Sequence, residues 1–230
     1  MRVAALYDIH GNLPALEAVL AEVEQEGVDA IVVGGDIASG PPRPREVVGL
    51  VRSLPNVHAI RGNADRLHDR EHAGDEGLRW LFEQLGEEDV EWLVSLPFSV
   101  ELDGTLYVHS NPIDDTTMVT EITTDEKLAA LLDGVEQRRV VAGHTHMQLE
   151  RRVGETLFVN AGSVGWPYEG RTGAYWAILD DGVRFRRTDY DLERAAELVR
   201  ASGHPRAEEI AAENILVSAT RAEAIAVFGG

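Results

Sequence analysis

Four short polar motifs, each directly after a short β-branched or apolar run, constrain the fold of this chain more than any other feature. The motifs are Asp8-Ile9-His10-Gly11-Asn12, Gly34-Gly35-Asp36, Gly62-Asn63-Ala64-Asp65 and Gly143-His144-Thr145-His146. A single histidine, His109, follows a fifth apolar run. Carboxylates, imidazoles and an amide oxygen delivered from several strand ends are ligands that divalent transition metals accept. The sequence therefore predicts a two-metal site, and a metal-dependent hydrolase is the first functional hypothesis.

Hydrophobic periodicity predicts a layered α/β fold around these motifs. Apolar runs at Val3–Leu6 and 31–33 each end in a polar motif, and the segment between them has apolar residues at helical spacing, which indicates a β-α-β unit. Further strands are predicted at 57–60 and Arg139–Ala142. Because the carboxyl ends of strands in an open α/β sheet meet at one crevice, polar residues far apart in sequence are expected to share one site.

Antiparallel strands and helices are predicted around this parallel core. Runs at Ser99–Leu102 and Thr105–Val108 flank an Asp-Gly turn, and runs at 175–179 and 183–187 flank another, so both pairs are predicted hairpins in mixed sheets. Segment 77–96 predicts two helices, broken near a glycine, that roof the cleft.

The whole chain is predicted to form one domain of 230 residues. Its core spans about residues 1–190, and a helical extension of about residues 191–230 carries no polar motif of its own. No run of 18 apolar residues occurs, so no membrane segment is expected. Cysteine is absent, which is compatible with a reducing compartment, and a cytoplasmic location is expected.

The charge of the chain argues against nucleic acid as its main ligand. The formal net charge is −19 at pH 7, so a polyanion meets long-range repulsion instead of a basic surface. A small substrate tolerates this field better than a nucleic acid does. The sequence does not indicate an oligomeric state.

The spacing inside the motifs favours metal chelation. Asp8 and His10 are two residues apart, as are His144 and His146, and side chains at this spacing on an extended loop can point into the same cavity. Asp36 has two carboxylate oxygens and is the natural bridge between two ions roughly 3.5–4 Å apart.

A structural explanation has to be weighed beside each of these motifs. One such motif alone is more often a turn or a helix cap than a ligand, but five of them in order after predicted strands favour ligands. His58 is expected to be structural, while His68, His72 and His204 are expected to be solvated. His68 and His72 follow Asp65 closely enough to reach a substrate.

The order of these motifs resembles the calcineurin-like metallophosphoesterase superfamily, from Asp8 to about Leu179. Segments 36–41, 61–63 and 160–165 are similar to a branch of small prokaryotic phosphoesterases related to protein phosphatases and diadenosine tetraphosphatases. The resemblance implies a four-layer α/β/β/α sandwich of the metallo-dependent phosphatase type. It also implies two metal ions at the sheet edge, which the sequence does not identify among manganese, iron, nickel and zinc.

The resemblance further implies roles for individual residues. Two ligand sets follow from the motifs: Asp8, His10, Asp36 and His146 for one ion, and Asp36, Asn63, His109 and His144 for the other. Asp36, Asn63 and His109 are also assigned to catalysis. Asn12 is placed beside the ligands and, with Arg61, on the substrate side, although Arg61 is equally well explained as a surface arginine.

Two positions depart from the family pattern. The family commonly has histidine at the position of Ala64, where it assists the leaving group, and Ser110 stands where glycine usually follows the histidine. The implied function is hydrolysis of a small phosphate mono- or diester by a metal-bound hydroxide. A protein phosphatase, a dinucleoside polyphosphate hydrolase and a metal-binding interaction module with little turnover remain alternatives, and Ala64 favours the last.

Overall fold

Ten strands form two five-stranded mixed sheets in the computed structural model, which describes residues 1–67 and 75–228. The strands are β1 (Val3–Leu6), β2 (Ala30–Val33), β3 (Val57–Ala59), β4 (Ser99–Leu102), β5 (Thr105–Val108), β6 (Arg139–Ala142), β7 (Leu149–Val153), β8 (Thr156–Asn160), β9 (Ala174–Leu179) and β10 (Val183–Thr188). The first sheet has the order β10-β9-β1-β2-β3, with β1, β2 and β3 parallel. The second has the order β4-β5-β6-β8-β7, with β5, β6 and β8 parallel.

Helices cover the outer faces of both sheets. The helices of the described residues are α1 (Leu13–Glu26), α2 (Pro44–Ser53), α3 (Glu76–Gln84), α4 (Glu87–Ser95), α5 (Asp125–Leu131), α6 (Leu192–Arg200), α7 (Ala207–Ile210) and α8 (Arg221–Phe228), of which α6 and α7 pack in a separate apolar cluster. One apolar cluster joins the first sheet to α1–α4, and another joins the second sheet to α5. The predicted four-layer α/β/β/α arrangement with mixed sheets is therefore confirmed.

The central strand β1 shows how the sequence produces these layers. Successive side chains of a strand point to opposite faces of the sheet. Ala4 and Leu6 accordingly pack with the helices, while Val3 and Ala5 pack between the two sheets. Because both faces are covered, all four residues of β1 are buried, and the strand is a continuous apolar run.

The predicted strands, both Asp-Gly hairpins and the two helices at 77–96 are confirmed, with the break at Gly86, which precedes α4. The hairpin of β7 and β8 was not predicted. β7 lies at the sheet edge and carries Glu150, Arg151 and Arg152, so it lacks the apolar alternation of a half-buried strand. Among the described residues, no helix is long and apolar enough to cross a membrane.

Candidate metal centre

All seven predicted ligands lie in the loops that leave the carboxyl ends of parallel strands. Asp8 and His10 follow β1, Asp36 follows β2, Asn63 follows β3, His109 follows β5, and His144 and His146 follow β6. Because the two sheets pack face to face, loops from both sheets meet at one edge of the sandwich. The structure thus brings together residues that are spread over most of the described chain.

The backbone is strained at five of these ligands. Positive φ angles are uncommon outside glycine and are found at Asp8 (53°), His10 (50°), Asp36 (50°), His144 (67°) and His146 (59°). In the described residues only Asn56 and Asp103 share this feature among non-glycine residues. Strained conformations persist where the surrounding structure over-determines them, which is typical of functional sites.

One group of ligand atoms, called here the first cluster, surrounds His10 and His146. Their Nε2 atoms are 3.2 Å apart. Asp36 Oδ2 lies 3.8 Å from His10 Nε2, and Asp8 Oδ1 lies 3.5 Å from His146 Nε2. Two ligands at about 2.1 Å from one ion are separated by roughly 3 Å or slightly more, so this spacing suits a shared ion.

A second cluster surrounds His109. Its Nε2 atom lies 2.9 Å from Asn63 Oδ1, 3.2 Å from His144 Nδ1 and 3.6 Å from Asp36 Oδ1. Asp36 therefore turns one carboxylate oxygen to each cluster. Asp8 Oδ1 is 4.0 Å from His109 Nε2, so it lies between the clusters as well.

The hydrogen bonds made by one nitrogen of each histidine ring show that the other nitrogen can bind a cation. His146 Nδ1–H donates to Trp166 O, and His109 Nδ1–H donates to Gly34 O, which leaves the Nε2 atom of each neutral ring as a lone pair. His144 Nε2–H donates to Thr116 O, so its Nδ1 is also a lone pair. When both rings are neutral, His109 Nε2 and His144 Nδ1 thus face each other as acceptors, and a metal ion between them removes this conflict.

Asp8 supports the same conclusion. Its side chain is fully buried, and its Oδ1 atom has no hydrogen-bond partner among the described residues. A buried carboxylate oxygen without a partner is costly unless a cation or a donor satisfies it. Its Oδ2 atom accepts from the backbone N–H of His144 at 2.8 Å, so the oxygen that faces both clusters is the unsatisfied one.

The electrostatics of the rings follow from burial and from the two carboxylates. Burial and the adjacent His146 lower the pKa of His10 to about 4, so this imidazole is neutral at pH 7. Burial also acts to lower the pKa of His109 and His146, but Asp36 and Asp8 outweigh it and hold both values above the ordinary range. Protons and metal ions consequently compete for these two rings.

Asp65 is a site residue to which the sequence analysis assigned no role. Its buried carboxylate accepts from the backbone N–H groups of Asp36 at 2.7 Å, Ile37 at 3.1 Å and Gly62 at 2.9 Å. Burial and the Asp36 carboxylate raise the pKa of Asp65 to about 7, while the hydrogen bonds oppose this rise. Asp65 thereby fixes the backbone on both sides of the bridging ligand.

Close approach explains the glycines beside two ligands. A Cβ atom on Gly62 would lie 2.2 Å from Asp36 Oδ1, and one on Gly143 would lie 2.5 Å from Asp8 Oδ2. Both distances are shorter than any non-bonded contact, so glycine is required where the carboxylates approach the backbone.

Asn12 supports the site from behind and does not face a substrate. It is fully buried, accepts from Ala15 N–H as the cap of α1, and donates to Gly165 O and Tyr190 Oη. All its donors and acceptors face protein, so its assignment to the substrate side is replaced by a structural one. Arg61 is half-buried, does not line the cavity described below, and has no partner for Nε among the described residues.

A cavity of about 1040 Å³ opens beside the second cluster. Asn63 and Ala64 line it at the metal side, together with Arg66, which the sequence analysis did not single out. Ala64 is half-buried, and its N–H donates to Asp36 Oδ1 at 2.8 Å. Ser110 is buried, and its hydroxyl donates to Thr117 O, which keeps it away from the cavity.

Aromatic rings that the sequence analysis missed pack on the first cluster. The Trp166 ring stacks on His10 at 4.4 Å with an angle of 3°, and the Tyr168 ring stacks on His146 at 4.9 Å with an angle of 11°. Both rings also line the cavity. No local pattern in the sequence marks them, because the contacts join loops that are distant along the chain.

Four histidines of the sequence were not predicted to bind metal. His58 is half-buried within β3, which agrees with a structural role. His204 was expected to be solvated, but it is half-buried and contacts Trp80 edge-on at 4.9 Å. His68 and His72, the other two for which solvation was expected, lie outside the described residues.

Comparison with known proteins agrees with this geometry. The model of the calcineurin-like phosphoesterase superfamily domain matches residues 1–181. The chain is 26% identical over 228 residues to an uncharacterized protein of Methanocaldococcus jannaschii, covering 86% of this chain and 91% of that protein. It is also 26% identical over 186 residues to phosphodiesterase YfcE of Escherichia coli, covering 80% of this chain and 89% of that protein.

Two solved structures extend the match beyond the family model. A metallophosphoesterase from Sphaerobacter thermophilus has a TM-score of 0.79 and 30% identity, and the match covers 92% of this chain and 97% of that one. A hypothetical protein from Pyrococcus horikoshii has a TM-score of 0.81 and 26% identity, covering 91% and 97%. Part of the C-terminal extension is therefore matched in these structures.

Proposed function

Because the chain belongs to the calcineurin-like phosphoesterase superfamily, a family of metal-dependent hydrolases of phosphate esters, we propose that it binds two divalent transition-metal ions and cleaves small phosphate mono- or diesters. The observation that carries this proposal is the meeting of lone pairs at the second cluster. His109 Nε2 and His144 Nδ1 face each other at 3.2 Å while their other nitrogens are committed to backbone carbonyls.

The metal ions and the protein have different roles in the proposed hydrolysis. Two divalent ions bound here would lower the pKa of a water molecule toward about 7 and would neutralise charge on the phosphoryl oxygens. The protein supplies fixed ligands, since each of these imidazoles is oriented by a hydrogen bond from its second nitrogen. Asp36 bridges the two clusters with one oxygen for each, and Asp65 fixes the backbone that carries it.

Ala64 supplies no proton donor to the leaving group in this proposal. Ala64 lines the cavity beside Asn63, and a methyl group neither donates nor accepts a proton. Phosphate esters whose leaving groups depart as stable anions, such as phenolates, are therefore the favoured substrates. The cavity provides the room for such a group on the metal side.

A metal-binding module with little turnover is the second candidate, and Ala64 is the observation that favours it. The net charge of −19 makes a nucleic acid an unfavourable substrate for either candidate. A cytoplasmic location stays a prediction from the cysteine-free composition.

One panel of assays separates the candidates. Purified protein is loaded with manganese, zinc or nickel and assayed on a nitrophenyl monoester, a nitrophenyl diester and a phosphopeptide, with bound metal counted on the same samples. Turnover of the nitrophenyl esters that chelation abolishes supports the proposal. Two bound ions without turnover of any substrate favours the module, and preference for the phosphopeptide favours a protein phosphatase.

A further inference from the structure

The cavity beside the metal centre reaches a part of the chain that lies beyond the family match. The family match ends at residue 181, whereas His204, Arg206, Ile210 and Asn214 line the same cavity as Asn63 and Ala64. We call residues 191–228 the C-terminal segment. The C-terminal segment, to which the sequence analysis assigned no chemistry, thus forms part of the wall of this cavity.

Trp80 of α3 holds the C-terminal segment at this wall. Its Nε1–H donates to Ser202 O at 3.0 Å, and its ring meets the His204 ring edge-on at 4.9 Å. Trp80 is only 6% exposed and belongs to the apolar core between α3 and the first sheet. The wall therefore has a rigid apolar base on which the His204 ring is seated.

Among the described residues, His204 carries an uncommitted hydrogen-bond donor at this wall. Its Nδ1 atom accepts from the backbone N–H of Arg206 at 3.1 Å, so the neutral ring carries its proton on Nε2. Burial and the neighbouring Arg206 lower the pKa of His204, which favours that neutral ring. Nε2 has no hydrogen-bond partner in the part of the chain that the structure describes.

The charges around the cavity indicate what this donor faces. Arg206 is paired with Glu209, and Arg66 is paired with Asp115 at 3.3 Å, so both guanidinium groups are compensated. Asp75 adds a further negative charge to the lining. A second anionic group of a substrate finds no free cation in this lining among the described residues, whereas a neutral acceptor atom finds the Nε2–H donor.

We propose that His204 is a specificity-determining residue, whose Nε2–H donates a hydrogen bond to a neutral acceptor atom on the bulky organic group of a phosphate ester bound at the metal centre. The inference rests on the proposed function, and it names the substrate class of that site. A cavity of about 1040 Å³ is large enough for a drug-sized group, and Trp80 and Ile210 supply apolar contact for it. Small alkyl esters leave His204 without a partner.

The test compares two aryl phosphates whose leaving groups have similar acidity but different size. These are 4-nitrophenyl phosphate and 4-methylumbelliferyl phosphate, whose second ring carries a lactone carbonyl. The wild type is expected to have the higher kcat/KM for the larger ester. His204→Asn keeps an acceptor for the Arg206 N–H, but its shorter side chain leaves no donor at the position of Nε2, so this preference should fall about 3- to 10-fold, chiefly through KM.

Two matched variants sharpen the test. His204→Gln places an amide donor near the position of Nε2 and should retain most of the preference. Arg194→Ala changes an exposed residue of α6 that does not line the cavity, and its preference should equal that of the wild type. Equal preferences in the wild type, His204→Asn and Arg194→Ala would overturn the assignment.

A binding measurement separates this inference from the proposed function. The affinity of the metal-loaded protein for 4-methylumbelliferone is measured by fluorescence for the same variants. Weaker binding to His204→Asn alone supports the assignment even in a protein that hydrolyses neither ester, in which case the proposed function fails. Unchanged binding in that variant, with or without turnover, contradicts the role of His204.

Discussion

The two ligand clusters are held in place by different parts of the molecule. In the first cluster, the rings of His10 and His146 are stacked face to face on Trp166 and Tyr168. In the second cluster, His109 and His144 meet only each other among the described rings, edge-on at 5.0 Å, and backbone carbonyls orient them. One cluster is therefore braced by aromatic packing and the other by a polar loop.

This difference connects the first cluster to the C-terminal segment. Ser218 Oγ–H donates to Pro167 O at 2.8 Å, and Gly170 N–H donates to Ala219 O at 2.9 Å, so the turn that carries both aromatic rings is tied to the end of the chain. His144 of the second cluster depends instead on the Thr116 carbonyl, in a loop that Asp114 holds together. Perturbations of the two clusters should consequently be separable, except at Asp36 and Asp8, which face both clusters.

The largest expected effect comes from the residue that the clusters share. Asp36→Asn removes the negative charge from the bridge and should weaken both ions together and abolish turnover. The fold should persist, because the side chain serves the ligands and not the apolar core. Metal content, activity and thermal melting are measured on the same preparation, with Asp29→Asn as a surface control. Two bound ions and near-normal activity in Asp36→Asn would refute the bridge.

The next largest effect is expected at Ala64, which lines the cavity beside the bridging Asp36. Ala64→His restores an imidazole where the metal centre meets the cavity and should accelerate poor leaving groups by up to about 10²-fold, the lower end of what a positioned general acid supplies. Nitrophenyl esters should gain much less. The measurement is a plot of log kcat/KM against leaving-group pKa, which should be steep for the wild type. A flat wild-type plot would mean that another donor already serves the leaving group.

A smaller effect, confined to the first cluster, is expected from a change at Trp166. Trp166→Leu keeps the backbone carbonyl that binds His146 Nδ1–H but removes the ring stacked on His10. Changes to groups that orient ligands typically cost 10- to 100-fold in metal affinity, and we expect about 10-fold for one of the two ions. Metal titration followed by calorimetry measures both sites, and equal weakening of both would contradict the separation of the clusters.

The smallest effect is expected at the second cluster, from a change at Asp114. Asp114 accepts from the backbone N–H groups of Thr116 and Thr117, and although burial opposes the shift, these hydrogen bonds lower the pKa of Asp114 to about 2. Asp114→Asn weakens that loop and the carbonyl that orients His144, so we expect a severalfold loss of affinity at one ion. Asp125→Asn, on the exposed start of α5, is the control. A larger loss of metal affinity at the first cluster would contradict the assignment of this loop to the second cluster.

The residues of the two clusters were predictable because their signals are local. Each follows a strand that is recognisable from its own apolar run, and α/β topology brings strand ends together. Asp36 was singled out as a bridge from its chemistry alone, and its two oxygens do face different clusters. The strained φ angles at five ligands had no counterpart in the sequence reading beyond the adjacent glycines.

The surroundings of the ligands were not predictable, because they depend on contacts between distant segments. Trp166 reaches His10 from the loop between β8 and β9, and nothing near Trp166 in sequence distinguishes it from a core residue. His204 was expected to be solvated, yet Trp80 from α3 covers one edge of its ring. Asn12 looked like a substrate contact, but the cap of α1 and Tyr190 occupy its amide.

The most direct test of two clusters joined by Asp36 is a count of bound ions in single-ligand variants. Metal-free protein is dialysed against manganese, and the ions per chain are counted for the wild type, for His146→Ala in the first cluster and for His144→Ala in the second. We expect two ions in the wild type, one in each single variant and none in the double variant. One ion in the wild type, or loss of the same ion in both single variants, would contradict this expectation.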